Sequence, residues 1–228
     1  MLETQLAAAF NQMLSAEYGI EKFEWWLHFA HANERWVQFE LGFWLGKQLG
    51  EGYAVGCEQN PDKLNKKKPP VDLVVYDRSP DVFPLWTNTP IANLELKVQG
   101  NWYATSDVFR KIKNDRKKID ALPAELPGIA LVIWFFMVPN NAAHPYRWLT
   151  GQVEDGTGLR TTDDIDSLME KKLDNSFQKI GSWRSQKPTE SFDVHEAHLY
   201  YFQNEAARRS PPFANSVPPT ANNSVHEN

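Results

Sequence analysis

The sequence predicts an α/β domain, and three observations support that class. Strands are predicted at 53–58, 71–76 and 91–98, of which 71–76 is rich in β-branched residues, with helical patterns before and after them. A continuous apolar run at 129–138 has the length of a strand that is buried on both faces. The chain has 228 residues, of which 42% are hydrophobic. That composition is sufficient for one globular core and too apolar for a wholly disordered protein.

Helices are predicted where apolar residues recur at helical spacing behind a capping residue, and strands where apolar residues alternate with polar ones. The first helical pattern falls within residues 2–30, and we interpret residues 1–32 as an N-terminal helical extension. The elements predicted after it are helix 33–49, strands 53–58, 71–76 and 91–98, helix 105–122, strand 129–138, helix 162–173 and strand 192–202.

The domain itself is expected to cover residues 33–205, because the composition changes after that point. Residues 206–228 combine prolines with Ser, Asn and Ala and show almost no apolar periodicity. A segment of this kind buries too little apolar surface to order itself. We therefore predict a disordered C-terminal tail over residues 206–228.

Charge and cysteine content exclude several classes of protein. The net charge of −5 argues against a general nucleic-acid coat protein, although it permits a local basic surface. Cys57 is the single cysteine, so an internal disulfide framework and a multi-cysteine zinc site are excluded. It fits a reducing compartment, and we expect a cytoplasmic protein. The longest apolar run has about half the length of a membrane span, so no membrane partner is expected.

The strand at 91–98 carries an unusual pair of charges. By strand alternation, Leu94 and Leu96 point toward a core, whereas Glu95, Lys97 and Gln99 point to the opposite face. Burying charge is costly unless the groups are paired or hold a metal ion. A simple ion pair on an exposed sheet face is the alternative interpretation.

A second carboxylate is predicted to approach this face. If strands 71–76 and 91–98 pair, Asp72 lies near Glu95. Two neighbouring carboxylates repel, which raises a pKa unless a hard cation sits between them. A lysine on the same face, here Lys97, can neutralise charge, orient water or stabilise a developing phosphorane.

This arrangement resembles the PD-(D/E)XK nuclease superfamily. The matching residues are Pro70-Val71-Asp72, then 22 intervening residues, then Glu95-Leu96-Lys97. The interposed Val71 is a departure from the family pattern, which lowers the specificity of the motif. The order of predicted elements over about residues 33–140 also matches the family core. The resemblance implies a restriction-endonuclease-like core, in which a central mixed sheet is flanked by helices.

The resemblance further implies a Mg²⁺-dependent nuclease that acts on DNA, with Mn²⁺ able to substitute. Asp72 and Glu95 would bind the metal, with the backbone carbonyl of Leu96 as a further ligand. Lys97 would position the attacking water and stabilise the pentavalent phosphorus. Cutting both strands of a duplex requires two active sites, so a homodimer is compatible with this activity.

Several other residues are candidates for the same site. Many family members carry a glutamate on the first helix that faces the metal, and Glu40 matches best, with Glu34 as the second candidate. Gln99 follows the motif on the same strand face, where a plain hydrogen-bonding role is the alternative. Glu58, near the end of the first strand, is a weaker candidate.

Positive charge is concentrated in the loop before strand 71–76 and on helix 105–122. Phosphate contact is one interpretation, and an ordinary solvated helix face is the other. On the same helix, Asp115 falls on the buried side and is expected to pair with a lysine or arginine. The predicted nucleic-acid-binding residues are Lys66, Lys67, Lys68, Arg110, Lys113, Arg116 and Lys117.

Two other functions stay open at this point. The chain could be a catalytically silent member of the family that binds nucleic acid or assembles with proteins, or a Trp-rich interaction protein. His195 and His198 lack the spacing of a zinc helix and would face opposite sides of a strand. Asp163, Asp164 and Asp166 resemble a carboxylate cluster, but two of them fall in the first turn of a helix, where negative charge interacts favourably with the helix dipole.

Overall fold

The computed structural model describes residues 2–16, 33–59, 70–78, 90–100, 105–139, 162–173, 175–185 and 192–209. Its helices are Leu2–Ser15 (α1), Asn33–Leu49 (α2), Thr105–Asp120 (α3), Thr162–Leu173 (α4) and Glu205–Arg209 (α5). Its strands are Tyr53–Gln59 (β1), Val71–Asp77 (β2), Pro90–Gly100 (β3), Gly128–Pro139 (β4), Gln178–Arg184 (β5) and Phe192–Gln203 (β6).

The six strands form one mixed sheet in the order β1-β2-β3-β4-β6-β5. The first three strands are an antiparallel meander, whereas β4 runs parallel to β3 and antiparallel to β6. A parallel neighbour requires a crossover connection, and α3 lies in the segment between β3 and β4. The prediction of an α/β fold with a mixed sheet flanked by helices is confirmed.

One face of the sheet packs against α1 and α2. Phe10 of α1 and Leu41 of α2 are fully buried in the same core as Leu94 and Leu96 of β3. Phe10 lies so close to β5 that a Cβ on Gly181 would be 3.3 Å from its ring. The N-terminal helix is therefore part of the main core of the described chain.

The other face packs against α3 and α4. Ile112 and Ile119 of α3 and Met169 of α4 are buried against Trp134 of β4. This division follows from strand alternation. Leu94 and Leu96 of β3 face α1 and α2, whereas the residues between and after them lie beside Ala130, Val132 and Trp134 of β4 on the α3 side. Glu95, Lys97 and Gln99 consequently lie on the α3 side, as the alternation predicted.

Two segments of the described chain differ from the predictions by more than a few residues at an element's end. β5 was not predicted, because this partly exposed strand is polar and carries a glycine. The predicted tail is wrong in its first four residues, since α5 continues to Arg209 and Ala207 is fully buried. The remaining part of the predicted tail, 210–228, lies outside the described residues. No helix in the described ranges combines the length and the apolarity that a membrane span requires.

Candidate functional site

The candidate site lies where β2 and β3 separate. Their antiparallel pairing reaches Leu73 opposite Leu94, and β3 then continues to Gly100 paired with β4. Backbone N–H groups on the open side of β3 need other acceptors. The Leu96 N–H donates to Asp72 Oδ2 at 2.7 Å. A carboxylate thus takes the place that a strand carbonyl would otherwise fill.

The N-terminal turns of α2 close this fork from one side. Glu34, in the first turn, accepts a hydrogen bond from Lys97 Nζ at 2.6 Å, and the same oxygen lies 3.4 Å from the Val98 nitrogen. One turn later, the buried Gln38 donates from Nε2 to the backbone carbonyl of Asp72. These contacts hold Lys97 and Asp72 at the same end of the helix.

Helix α3 closes the fork from the other side. Lys118 Nζ lies 2.9 Å from Glu95 Oε2 and 3.2 Å from Asp115 Oδ1. The Glu95 side chain is only 3% exposed. Glu95 Oε1 and Asp115 Oδ2 are both buried and have no hydrogen-bond partner among the described residues. One ammonium group therefore serves two carboxylates and leaves an oxygen of each unsatisfied.

Glu34, Asp72, Glu95 and Asp115 together form what we call the carboxylate cluster. Burial raises the pKa of Asp72, and the nearby charges of Glu34 and Asp115 add to the rise, while the Leu96 N–H opposes it. Burial likewise raises the pKa of Glu95 to about 7, helped by Asp72 and Asp115, although the bond to Lys118 acts in the opposite direction. The fold therefore holds these acids together at an electrostatic cost.

The same cluster raises the pKa of Lys118, which favours the charged form of this lysine. Burial on its own would lower the pKa of Lys118, but the hydrogen bond to Glu95 and the charges of Glu95 and Asp115 raise it above its ordinary value. Lys118 accordingly stays a cation throughout the neutral range.

The donor set fits a hard divalent cation. Carboxylate oxygens are the ligands that Mg²⁺ prefers, and one buried oxygen each of Glu95 and Asp115 has no hydrogen-bond partner among the described residues. The N–H and carbonyl groups of one strand residue point to the same side, so the Leu96 carbonyl also faces the open side of β3. Within the described ranges, no three His, Cys, Asp or Glu side chains already stand close enough to share one ion.

The structure brings Glu34, rather than Glu40, to Lys97. Glu40 lies six residues further along α2, which turns it onto a different face of the helix at about 100° per residue. Its metal-facing role stays a prediction. The other two candidates have contacts elsewhere: the exposed Glu58 pairs with Arg35 at 3.2 Å, and the buried Gln99 donates to the Gly100 carbonyl at 3.0 Å.

Asp115 and Lys118 were not predicted as members of the site. The helical pattern did place Asp115 on the buried side of α3 with a lysine or arginine as its expected partner, and that partner is Lys118. The contact of Lys118 with Glu95 had no signal in the sequence, because it depends on how α3 crosses the sheet.

The predicted nucleic-acid-binding residues fall into three groups. Lys66, Lys67 and Lys68 lie outside the described residues. Arg110 pairs with Asp107, and Arg116 donates to Ser176 Oγ at 2.9 Å with its guanidinium 4.7 Å from the centre of the Phe202 ring. The remaining two, which are exposed on α3, are Lys113 and Lys117.

A second polar group, which we call the Asp166 network, lies between α4, β5 and β6. Asp166 accepts hydrogen bonds from Lys179 and from the Tyr200 hydroxyl, and its Oδ1 lies 3.1 Å from His198 Nδ1. His198 Nε2 lies 3.0 Å from Glu196 Oε1. Partial burial alone would raise the pKa of Asp166, but these bonds outweigh it and lower that pKa below its ordinary value.

Comparisons with models of known protein families, with curated proteins and with solved structures found no significant match to this chain. The geometry of the carboxylate cluster is therefore the basis for any function inferred for this chain.

Proposed function

We propose that the protein is a Mg²⁺-dependent nuclease of the PD-(D/E)XK type that hydrolyses phosphodiester bonds of DNA. The observation that carries the proposal is the convergence of Asp72, Glu95 and Lys97 at the fork between β2 and β3. The order of α2, the three-stranded meander, α3 and the parallel β4 agrees with a restriction-endonuclease-like core.

The charge of the site supports a divalent ion. When all are ionised, the four carboxylates of the cluster exceed the two lysines, Lys97 and Lys118, by two negative charges. Asp72 and Glu95 would hold the ion, with the Leu96 carbonyl as a further ligand. Bound there, Mg²⁺ would act as a Lewis acid on the phosphate and lower the pKa of a coordinated water.

Lys97 and Glu34 have distinct roles in this proposal. The Lys97 ammonium donates hydrogen bonds, so it can orient the attacking water and stabilise the negative charge that develops on the phosphorus oxygens. Glu34 accepts a hydrogen bond from that ammonium and acts as a positioning residue for it. The side chain of Lys97 is 17% exposed, which leaves it accessible to a substrate.

Substrate binding is assigned to the basic side of the site. Lys113 and Lys117 are exposed on α3, the helix that also supplies Lys118. Exposed lysines next to a catalytic cleft bind backbone phosphates without reading the sequence. The lysines at 66–68 precede Asp72 closely in the chain and belong to the same proposal, as does a homodimer for cutting both strands.

The experiment that tests the proposal compares Lys97→Ala with Lys171→Ala, which changes an exposed lysine of α4. We expect Lys97→Ala to bind DNA as the wild type does and to cleave at least ~100-fold more slowly in Mg²⁺. Lys171→Ala is expected to cleave at the wild-type rate. Plasmid nicking and mobility shifts measure the two properties separately. If Lys97→Ala cuts as fast as the wild type, the proposal is wrong.

A catalytically silent DNA-binding or assembly module is the second candidate, and one observation favours it. Lys118 already contacts Glu95 and Asp115, so the cluster has an internal positive partner. A silent module predicts that Mg²⁺ leaves the thermal unfolding midpoint unchanged. A working site predicts that the midpoint rises with Mg²⁺ concentration, because the ion binds the folded state.

A further inference from the structure

The position of Lys118 has a consequence for how a metal ion would enter the site. Its ammonium group lies 2.9 Å from one oxygen of Glu95 and 3.2 Å from one oxygen of Asp115. An ammonium group is a compact positive charge, so in this position it stands in for an inorganic cation. Glu95 belongs to β3 and Asp115 to α3, and Lys118 contacts both.

Lys118 does not satisfy the two acids. Glu95 is almost completely buried, yet its Oε1 has no hydrogen-bond partner among the described residues, and the same holds for Asp115 Oδ2. A single positive charge thus faces two carboxylates, and each of them has an oxygen that can still accept a hydrogen bond or bind a cation. A divalent ion could neutralise both acids, which one ammonium group cannot do.

The lysine is also able to leave. The side chain of Lys118 is 44% exposed, and its flexible stem can carry the charged end into water. The neighbouring Ile119 is fully buried and Ile112 nearly so, and they anchor α3 without help from the ion pair. Displacement of the ammonium group therefore requires a side-chain rotation and no movement of the helix.

We propose that Lys118 is a displaceable resident cation and that Asp115 is a further metal-binding carboxylate of the site. The divalent ion and the Lys118 ammonium compete for Glu95 and Asp115. This inference rests on the proposed function, since it concerns the ion that the nuclease would use. It adds an acid and a lysine from α3 to the residues that the sequence motif contains.

The test measures Mn²⁺ binding to the full chain without DNA, by calorimetry and by the shift of the thermal unfolding midpoint. Lys118→Gln removes the competing charge, so we expect Mn²⁺ to bind about tenfold more tightly or better. Asp115→Asn removes a ligand and is expected to weaken binding by about tenfold. Lys118→Arg keeps the charge, and Lys171→Gln changes an exposed lysine of α4, so both are expected to bind Mn²⁺ as the wild type does.

The outcomes separate the inference from the proposed function. If Asp72→Asn abolishes Mn²⁺ binding but Lys118→Gln binds no more tightly than the wild type, the inference is overturned and the nuclease proposal stands. Unchanged binding by Asp115→Asn also overturns it, and this variant supplies the answer if Lys118→Gln does not fold. If neither the wild type nor Lys118→Gln binds Mn²⁺, the proposed function fails and the inference with it.

Discussion

The carboxylate cluster and the Asp166 network shift the pKa values of their carboxyl groups in opposite directions. Asp166 accepts bonds from a lysine, a tyrosine and a histidine, and its pKa is lowered. In the carboxylate cluster, the acids outnumber the lysines, and the pKa values of Asp72 and Glu95 are raised. A polar group with enough donors stabilises a fold, whereas acids held together without enough donors are suited to an external cation.

Matched substitutions in the two regions give the largest expected contrast. Asp72→Asn is expected to slow Mg²⁺-dependent DNA cleavage at least ~100-fold, because it removes a metal-binding charge. The metal-free protein should lose no stability, since the substitution also removes repulsion. Asp166→Asn should leave the cleavage rate within about twofold, because the Asp166 network lies on α4, β5 and β6 and supplies no residue to the carboxylate cluster. Cleavage rates and urea unfolding of both variants measure this; equal losses of activity would contradict the contrast.

The pH dependence of stability gives the second contrast. The pKa of Glu95 is raised from 4.5 to about 7 in the folded state, so the folded protein holds this proton more tightly than the unfolded chain. Without divalent ions, its contribution is complete below pH 4.5 and is lost as the pH rises through about 7, by about 3 kcal/mol. Urea unfolding from pH 4 to pH 8 measures it. Glu95→Gln should flatten the curve, and an equally steep curve would refute the assignment.

The Asp166 network should respond to pH in the opposite direction. Because the pKa of Asp166 is lowered, its stabilisation is present above the ordinary value of 3.8 and is lost as the pH falls through the lowered value. At pH 7, Asp166→Asn is expected to cost about 2 kcal/mol of unfolding free energy through weakened hydrogen bonds. Asp120→Asn, which weakens an exposed pair with Arg116, is the control and should cost less than ~1 kcal/mol.

The smallest expected effect concerns DNA binding by α3. The double substitution Lys113→Ala with Lys117→Ala removes two phosphate contacts. It should therefore reduce the slope of log affinity against log salt concentration by about two and weaken affinity for all sequences alike. Lys171→Ala with Lys172→Ala makes the same charge change on exposed positions of α4. Mobility shifts across salt concentrations compare the two. If both double variants behave alike, α3 has no specific part in phosphate contact.

Sequence patterns were most informative where the position of a side chain depends on a single helix or strand. Strand alternation correctly placed Glu95, Lys97 and Gln99 on one face, and helical periodicity correctly placed Asp115 on the buried side of α3. Patterns failed where two elements must be positioned relative to each other. Helix periodicity alone could not choose between Glu34 and Glu40, since the choice depends on where α2 begins relative to β3.

The amino-acid sequence by itself determined the class of the fold, the order of most elements and the faces of β3, because these follow from short-range periodicity and backbone preferences. Only the tertiary structure decided that the pairing of β2 with β3 starts at Leu73, that Glu34 reaches Lys97, and that Lys118 contacts both Glu95 and Asp115. Those contacts join residues far apart in the chain. Their distances depend on how whole helices pack on the sheet, which no local pattern encodes.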